Sequence, residues 1–494
     1  IVEGFGEDPY LTSVFGAAKV RAYQGDDLDS KSSLLACAKH FVAYGHAEGG
    51  RDYNTVDLSL NLLHSVYLPP FRAAVDAGAA SVMASFNTVA GRPMHANHEL
   101  LTSVLKDEWG FPGVVVGDAD GAVQLVDHGI AETLADAVGQ ALTAGLDVEM
   151  GGHLTDGSGA PVFGEDAVSD ERIDDAVRRV LRLKFARGLF RDPFVDASAE
   201  RRVPDADTRA AARRAAARCA VLLKNDDQIL PISPDVGSVL LVGPYAESTD
   251  HLGAWTQSFS APARTLAACL SEALPGRVSV LPGADFFDPD ASRQTVAAAA
   301  ARDHDLVIVA VGEPSSLSGE ASSRSDIRLT GDQEALIAAI ADTGVPFAVV
   351  LVNGRPLVMS DWIDRVGSVL QTGHLGTEGP EAIVDLLLGR VNAGGKLPVS
   401  IPRSSGQIPI YYNHENTGRP ASVRGSLVHE EIDVAVVGPG NTDDYFTSKY
   451  LDLDLGPQFS FGHGLSYTTF EISAPSAPAT VSMAELASSG VPVR

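Results

Sequence analysis

One carboxylate, Asp118, directly follows an apolar run in the segment 109–123 (WGFPGVVVGDADGAV). Three consecutive valines between glycines are typical of a buried parallel strand, so Asp118 stands where that strand meets solvent. A carboxylate in that position is available for chemistry on a bound molecule. The alternative is a helix N-cap, because Asp118 and Asp120 precede the apolar positions Val123 and Val126. The segment alone does not decide between the two interpretations.

A second group of carboxylates lies in the loop 313–326 (EPSSLSGEASSRSD), which follows another apolar run and shows no periodicity. Functional residues concentrate on loops of this kind. Glu313, Glu320 and Asp326 are candidate acids, the alternative is a solvated surface loop, and spacing does not choose among the three. Together with Asp118, one of them would supply the two carboxylates that glycoside hydrolysis needs, about 5–5.5 Å apart in a retaining enzyme.

Repeated strand, loop and helix patterns position these residues between about 34 and 190, and they indicate a parallel sheet or barrel. No GxGxxG motif follows a strand, which favours a (β/α) barrel over a Rossmann sheet. The carboxyl ends of barrel strands carry the active site. Besides Asp118, the polar residues expected at that edge are Lys39, His40, Ser85, Asn87, Asp147 and Glu149.

Changes in composition divide the chain into five parts. Residues 1–190 are predicted to form part of a (β/α) barrel, and the charged, proline-bearing stretch 191–215 is predicted to be a linker. A second α/β unit is predicted at 216–418. Residues 419–468 are predicted to be a loop-rich connection, and 469–494 the beginning of a β-rich module.

Charge and cysteine content exclude several classes of function. The 64 acidic and 37 basic residues give a net charge of −27, which disfavours nucleic acid and suits a neutral substrate. Cys37, Cys219 and Cys269 form no disulfide pattern or zinc motif, so we expect no metal site. No apolar stretch reaches the ~18 residues that a membrane span needs. Since the chain opens in mid-motif at Ile1, we expect its N-terminus to be cut, and its compartment is not readable.

Ten collinear motifs resemble those of glycoside hydrolase family 3, especially of its bacterial β-glucosidases. The resemblance implies a (β/α)8 barrel lacking its N-terminal strands, an α/β sandwich and the beginning of a fibronectin-III-like domain. The motifs run through nearly the whole chain in the family's order, which makes the resemblance very specific. They are EGFGEDPYL (3–11), KHFVAYGHAEGGRDYN (39–54), YLPPF (67–71), SVMASFNTVAGRPM (81–94), EWGFPGVVVGD (108–118), GEASSRSDI (319–327), NGRPL (353–357), GTEGPEAIVDLLLG (376–389), GGKLPVSIPRS (394–404) and FGHGLSYT (461–468).

The same resemblance implies roles for individual residues. Asp118 matches the catalytic nucleophile, and Glu320 matches the general acid/base. Lys39 and His40 match the pair that holds sugar hydroxyls in the −1 subsite, although such a pair also serves to satisfy strand-end carbonyls. Trp255 resembles the tryptophan on which the next sugar stacks, and the alternative is a core tryptophan.

Further positions match the family less directly. Met83 matches a methionine that lines the sugar pocket, with core packing as the alternative. Phe86 stands where many members have tyrosine, and Ala119 where many have an aromatic residue, so the leaving-group site is expected to be wider. Arg51 and Asp52 are expected to support the Lys–His pair, and Arg51 is included among the substrate-binding residues.

The activity implied by the resemblance is that of a retaining exo-β-glycosidase. It would release terminal non-reducing β-D-glucosyl residues from a β-glucoside or short β-linked oligosaccharide, without a cofactor or metal. A periplasmic or secreted location is favoured, a cytoplasmic one is compatible with the sequence, and so is an oligomer.

Three alternatives stay open. The first is a β-xylosidase, because xylose lacks only the hydroxymethyl group of glucose. The second is an N-acetyl-β-glucosaminidase, which uses a His–Asp pair as acid/base. The nearest counterpart of that pair in this chain is His46 with Asp52. The third is an inactive sugar-binding fragment, because the family's sugar-binding Arg and Asp would lie before Ile1.

Overall fold

Two main sheets, each flanked by helices, organise the computed structural model of the chain. It describes residues 3–155, 158–164, 166–200, 203–256, 264–420 and 447–469, with positions 471, 473, 480 and 482. The predicted β-rich module at 469–494 lies almost wholly outside these residues. Across the described ranges, none of the helices has the length and hydropathy that a bilayer crossing requires.

The first sheet contains four parallel strands, β1 (Cys37–Phe41), β2 (Ser81–Ala84), β3 (Val114–Ala119) and β4 (Val148–Met150). Their spatial order is also their order along the chain. Each strand pairs with the next after a helical crossover, which is the progressive order of a barrel and not of a doubly wound sheet.

Amphipathic helices bury the apolar side chains of this sheet. The helix Glu99–Glu108, which is wound as a π-helix, buries Leu101 and Leu105 in the core. Burying a leucine side chain stabilises the fold by about 1.5–3 kcal/mol. The other main helices of this part are Pro9–Gln24, Leu68–Asp76, Leu134–Ala144 and Asp170–Ala186.

The second sheet has six strands, β5 (Val221–Asn225), β6 (Val239–Val242), β7 (Val278–Leu281), β8 (Leu306–Gly312), β9 (Phe347–Val352) and β10 (Ser368–Gln371). Their spatial order is β5–β10–β9–β8–β6–β7, and all neighbours are parallel except the pair β5–β10. Its central strands are apolar on both sides because helices cover both faces. Val309 packs on one face and Ile308 on the other. The helices are Ala206–Cys219, Leu266–Ala273, Ala291–Ala301, Gln333–Ala341 and Gly379–Leu387.

The predicted linker 191–215 extends too far, because the helix Ala206–Cys219 begins inside it. Alanine favours helix, and Asp205 caps the first turn by accepting from the Thr208 N–H. The helix belongs to the second unit, since Arg209 pairs with Glu378 at 2.8 Å and Arg213 with Asp385 at 2.6 Å. Only the earlier part of the range connects the two units.

The N-terminal segment docks on the second unit. The Glu7 carboxylate accepts from the Ser400 N–H at 2.7 Å, the Ser400 hydroxyl at 3.0 Å and the Tyr412 N–H at 3.0 Å. Gly6 lies so close to Pro398 that a Cβ at this position would collide with the proline backbone. Motifs almost 400 residues apart therefore form one contact between the two halves of the chain.

Candidate active site

Asp118 is the penultimate residue of β3, at the carboxyl end of the first sheet. Its backbone N–H donates to Nε2 of His95 at 3.0 Å, and its Oδ1 accepts from the Ala119 N–H at 2.8 Å. The next helical turn begins at Val123 and has no side-chain cap. The N-cap interpretation of Asp118 is therefore wrong, and its carboxylate lies at the strand edge as predicted.

His95 is a contact of Asp118 that the sequence analysis missed. The residue is only 2% exposed, and burial lowers the pKa of its imidazole to about 4. The ring is neutral at ordinary pH, so Nε2 accepts the N–H of the aspartate. A Cβ at Gly121 would collide with this ring, which explains why a glycine follows the carboxylate so closely.

Lys39 and His40, on β1, approach Asp118 as predicted. Nε2 of His40 lies 3.5 Å from Oδ2 of Asp118. The other side of the pair faces Glu3, whose carboxylate is 3.2 Å from Lys39 Nζ and 3.9 Å from His40 Nδ1. Glu3 is a second contact that the sequence analysis did not identify, although it opens the matched motif EGFGEDPYL.

The surroundings of Asp118 perturb its ionisation. Burial raises the pKa of its carboxyl, while the Ala119 N–H, His40 and Lys39 act in the opposite direction. Glu320 raises that pKa further, so the two carboxylates interact electrostatically. Burial and the positive charge of Lys39 lower the pKa of His40. A perturbed carboxyl beside a strand end is a typical property of a catalytic position.

Glu320 lies in the loop after β8, and the loop after β1 holds it in place. The Tyr53 hydroxyl donates to Glu320 Oε1 at 2.6 Å. Asp52 Oδ2 accepts from the Ala321 N–H at 2.8 Å, and the Asp52 N–H donates to the Ser323 hydroxyl at 2.9 Å. Asp52 thus supports the Glu320 loop, which differs from its expected role beside the Lys–His pair.

The two other candidate acids have different environments. Glu313 is 1% exposed and pairs with Arg324 and Arg355, each at 2.9 Å. Such a carboxylate is fixed by two guanidinium groups and has no free oxygen for proton transfer. Asp326 is exposed, and its Oδ2 lies 3.9 Å from Arg328 Nε. Of the three, Glu320 is the one that the Tyr53 hydroxyl contacts.

A cavity of about 450 Å³ opens beside Glu320, and Trp255 and Tyr53 are among its lining residues. Trp255 is 75% exposed, which leaves its ring free for contact with a ligand. Tyr53, Trp255 and Ala321 have φ values of +64°, +58° and +59°, in the left-handed region that non-glycine residues seldom adopt. Strained backbone of this kind clusters at functional sites. The remaining lining residues are Ala254, Ser315, Ser316, Ser318, Glu320 and Ala321.

The other predicted substrate-binding residues, Met83, Phe86 and Arg51, differ in their exposure. Met83 is half-buried on β2. Phe86 is buried and stacks edge-on against Tyr53 with ring centroids 5.4 Å apart, so it supports the tyrosine that contacts Glu320. Arg51 is exposed, and its Nε donates to the Glu48 carbonyl at 3.4 Å. Their substrate-binding roles stay predictions.

Asp147 does not lie at the active edge. It precedes β4, whose partner strand places Val148 beside Val116, and its buried carboxylate pairs with Lys106 at 2.7 Å and with Arg172. The prediction was wrong for Asp147 because this residue precedes β4, where its N–H donates to the Val115 carbonyl, whereas Glu149 is the middle residue of the three-residue strand. Asp147 therefore stabilises the fold, whereas Glu149 lies on the Asp118 side.

Ser85, Asn87 and His46 also serve the backbone and the core. Ser85 and Asn87 are fully buried, and the Asn87 amide donates to the Val42 carbonyl at 3.3 Å. His46 Nδ1 is hydrogen-bonded to the Tyr67 hydroxyl at 2.7 Å. Because the contacts of Asp52 go to the Glu320 loop, no His46–Asp52 acid/base pair forms among the described residues.

If Glu320 is the general acid/base that the resemblance implies, Tyr53→Phe should lower kcat/KM by about 10- to 100-fold for glycosides with poor leaving groups. This range follows because the substitution removes the hydrogen bond from the Tyr53 hydroxyl to Glu320, and a hydrogen bond to a charged group contributes about 1.5–3 kcal/mol. Aryl glycosides with leaving groups of graded pKa measure the effect, which should shrink as the leaving group improves. Tyr467→Phe is the control, because the Tyr467 hydroxyl donates to the Leu386 carbonyl outside the cavity. An equal loss on all substrates would contradict a role in positioning Glu320.

Models of known protein families match both parts of the chain. The C-terminal domain model of glycosyl hydrolase family 3 matches residues 220–467, and the N-terminal domain model matches residues 1–183. The chain is 39% identical to the periplasmic beta-glucosidase of Salmonella typhimurium over 95% of its length, and 32% identical to a beta-xylosidase of Formosa agariphila over 96%.

A solved structure has the same fold. The beta-glucosidase of Listeria innocua in complex with glucose superposes with a TM-score of 0.85 at 35% identity, over 95% of this chain. The chain spans 63% of the Salmonella protein, 65% of the Formosa protein and 63% of the Listeria protein. Because the two domain models follow each other along nearly the whole chain, the chain belongs to glycosyl hydrolase family 3.

Proposed function

We propose that this chain is a retaining exo-β-glycosidase with Asp118 as nucleophile and Glu320 as general acid/base. The observation that carries the proposal is the convergence of the two carboxylates from different sheets. Asp118 ends a strand of the first sheet, and Tyr53 of the same unit holds Glu320 at 2.6 Å. The electrostatic effect of Glu320 on the pKa of Asp118 supports a shared site.

The proposed reaction has two steps. Asp118 attacks the anomeric carbon while the Glu320 carboxylic acid gives its proton to the leaving oxygen, which forms a glycosyl ester and a free alcohol. The Glu320 carboxylate then takes a proton from water, and the hydroxyl oxygen displaces Asp118. Two inversions at the anomeric carbon leave its configuration retained. No cofactor enters either step.

Sugar recognition is proposed to come from the residues around the two carboxylates. Lys39 and His40 would bind hydroxyls of the sugar that Asp118 attacks, because both side chains reach that edge. Trp255 would stack on the apolar face of the next sugar, since its ring is largely exposed in the cavity wall. Met83, Phe86 and Arg51 complete the proposed set.

Lys39→Met should raise KM for a glucoside by about 10- to 100-fold, because it removes a charged hydrogen-bond donor to a sugar hydroxyl. Steady-state kinetics with an aryl glucoside provide the measurement. Lys184→Met serves as the control, since Lys184 is an exposed lysine on the helix Asp170–Ala186. Unchanged kinetics in Lys39→Met would remove Lys39 from the binding site.

We propose a terminal β-D-glucosyl residue as the substrate, because the Salmonella and Listeria relatives are beta-glucosidases and the Listeria protein was solved with glucose. The Formosa relative keeps β-xyloside as the second candidate. Turnover of p-nitrophenyl β-glucoside, β-xyloside and N-acetyl-β-glucosaminide distinguishes the candidates. We expect kcat/KM to be highest for the glucoside, and a higher value for the xyloside would reverse the assignment.

A sugar-binding protein without turnover is the alternative from another class. It predicts that glucose binds in calorimetry while none of the three aryl glycosides is hydrolysed.

The Salmonella relative is periplasmic, and we propose a periplasmic or secreted location for this chain by analogy. Fractionation of the source cells would check that location.

A further inference from the structure

Three side chains with metal-binding donor atoms converge beside the strand end that carries Asp118. They are Asp120, Glu149 and His153, and their donor atoms all lie within 4.8 Å of one another. We propose that these three residues bind a divalent transition-metal ion of the Zn²⁺ or Mn²⁺ class. The sequence predicted no metal site, because its cysteines form no zinc motif.

The Glu149 carboxylate gives the first independent indication of a ligand. The residue is 8% exposed. Its Oε2 accepts from the His153 backbone N–H at 3.0 Å, whereas its buried Oε1 has no hydrogen-bond partner among the residues that the structure describes. A buried carboxylate oxygen without a partner is costly. A bound cation would satisfy it.

Gly151 shows where that cation would lie. A Cβ at this position would collide with Asp120 Oδ1, and it would stand 2.9 Å from Glu149 Oε1 and 2.8 Å from His153 Cδ2. The unpartnered oxygen therefore faces the same small volume as the two other side chains. The φ of Gly151, +151°, is also unfavourable for other residues.

The donor set indicates the class of metal. Two carboxylates and one imidazole suit Zn²⁺ and Mn²⁺, whereas Ca²⁺ and Mg²⁺ prefer oxygen ligands throughout. Zn²⁺ binds such atoms at about 2.0–2.2 Å in tetrahedral geometry, so two ligands of one ion stand about 3.4 Å apart. The donor atoms here all lie within 4.8 Å of one another, which leaves room for such an ion. The Asp120 side chain is exposed, which gives the ion a path of entry and room for water ligands.

An ion pair without metal explains only part of this arrangement. His153 Nε2 lies 2.9 Å from Asp120 Oδ1, a distance that fits either a hydrogen bond or two ligands of one ion. The pair leaves Glu149 Oε1 unsatisfied. It also places the negative charge of Glu149 in a buried position beside a second carboxylate, which a divalent cation would offset.

The proposed ion would stabilise the turn that carries Asp118. The Asp120 N–H donates to the Met150 carbonyl at 2.7 Å, and the Gly121 N–H donates to the Asp118 carbonyl at 3.0 Å. A metal joining Asp120 to Glu149 and His153 would link the ends of β3 and β4 by side chains as well. Its role is structural, and the glycosidase proposal does not depend on it.

Binding of Mn²⁺ alone to the chain, after dialysis against EDTA, tests the proposal. The electron paramagnetic resonance signal of free Mn²⁺ should fall to an endpoint of one ion per chain, Zn²⁺ should compete, and either ion should raise Tm by roughly a few degrees. Neither ion binding at millimolar concentration would overturn the proposal. A rise in Tm with Ca²⁺ but not with Mn²⁺ or Zn²⁺ would overturn the metal class.

Substitutions locate the site. Glu149→Gln keeps the shape of the side chain and should weaken Mn²⁺ binding by at least roughly 10- to 100-fold, the loss that even an outer-shell change causes. Asp127→Asn, which changes an exposed carboxylate nearby in sequence, should bind like the parent chain. If circular dichroism shows Glu149→Gln unfolded, His153→Gln makes the same test. Unchanged Mn²⁺ affinity in the folded variant places the ion elsewhere and refutes the proposal.

Discussion

Asp118→Ala is expected to abolish hydrolysis of aryl β-glucosides, with kcat lowered on the order of 10⁴-fold or more. The size follows from what removal of the nucleophile costs in other enzymes with covalent intermediates. The backbone contacts of Asp118 involve its N–H and survive the change, so the fold should persist. Steady-state kinetics and circular dichroism measure the two quantities. Asp127→Ala is the matched control, because Asp127 is exposed.

Covalent trapping tests the same assignment without a mutation. In a 2-deoxy-2-fluoro-β-glucosyl fluoride the 2-fluoro group slows both steps, and the good fluoride leaving group offsets the slowing of the first. The glycosyl ester should therefore accumulate on the parent chain. Mass spectrometry should then find one fluoroglucosyl group on the peptide that contains Asp118, and none on the Asp118→Ala chain. Label on another carboxylate would show that the nucleophile lies elsewhere.

The sequence predicted those features that local patterns determine. Valine runs between glycines indicated buried parallel strands, and β3 ends beside Asp118 as expected. The α/β class of both units was predicted correctly, because alternation of apolar strands and helices is a property of short windows. The progressive strand order is consistent with a barrel, of which the described residues include four strands.

The contacts that complete the site could not be predicted in the same way. Tyr53 and Glu320 are 267 positions apart, and only the packing of the two units brings them together. His95 lies outside the matched motifs, and its contact with Asp118 comes from burial beneath that residue, which no local pattern shows. Asp147 was misplaced because a strand of three residues gives no signal for which end faces the site.

Glu320→Ala is expected to have the second-largest effect, and the effect should depend on the leaving group. General acid–base catalysis contributes about 10²–10⁴-fold, so substrates with alkoxide leaving groups should lose that much in kcat/KM. A dinitrophenyl glucoside needs little protonation, so its first step should be nearly preserved while the second becomes slow. A pre-steady-state burst followed by slow turnover is the expected signature.

Glu313→Gln is the matched control for that experiment. Glu313 lies in the same loop but is buried between Arg324 and Arg355, so its loss should lower stability by about 3–5 kcal/mol and leave the leaving-group dependence unchanged. Denaturant unfolding measures the first quantity. The opposite pattern, with leaving-group dependence in Glu313→Gln and none in Glu320→Ala, would transfer the acid/base role to Glu313.

Azide separates loss of the acid/base from loss of the nucleophile. In Glu320→Ala, azide needs no base and should attack the glycosyl ester on Asp118, restoring turnover and giving the β-glucosyl azide by double inversion. In Asp118→Ala, azide has no ester to attack and would displace the leaving group directly, giving the α-glucosyl azide. Nuclear magnetic resonance of the product distinguishes the two. An α product from Glu320→Ala would reverse the two assignments, because the anomeric configuration reports which carboxylate formed the intermediate.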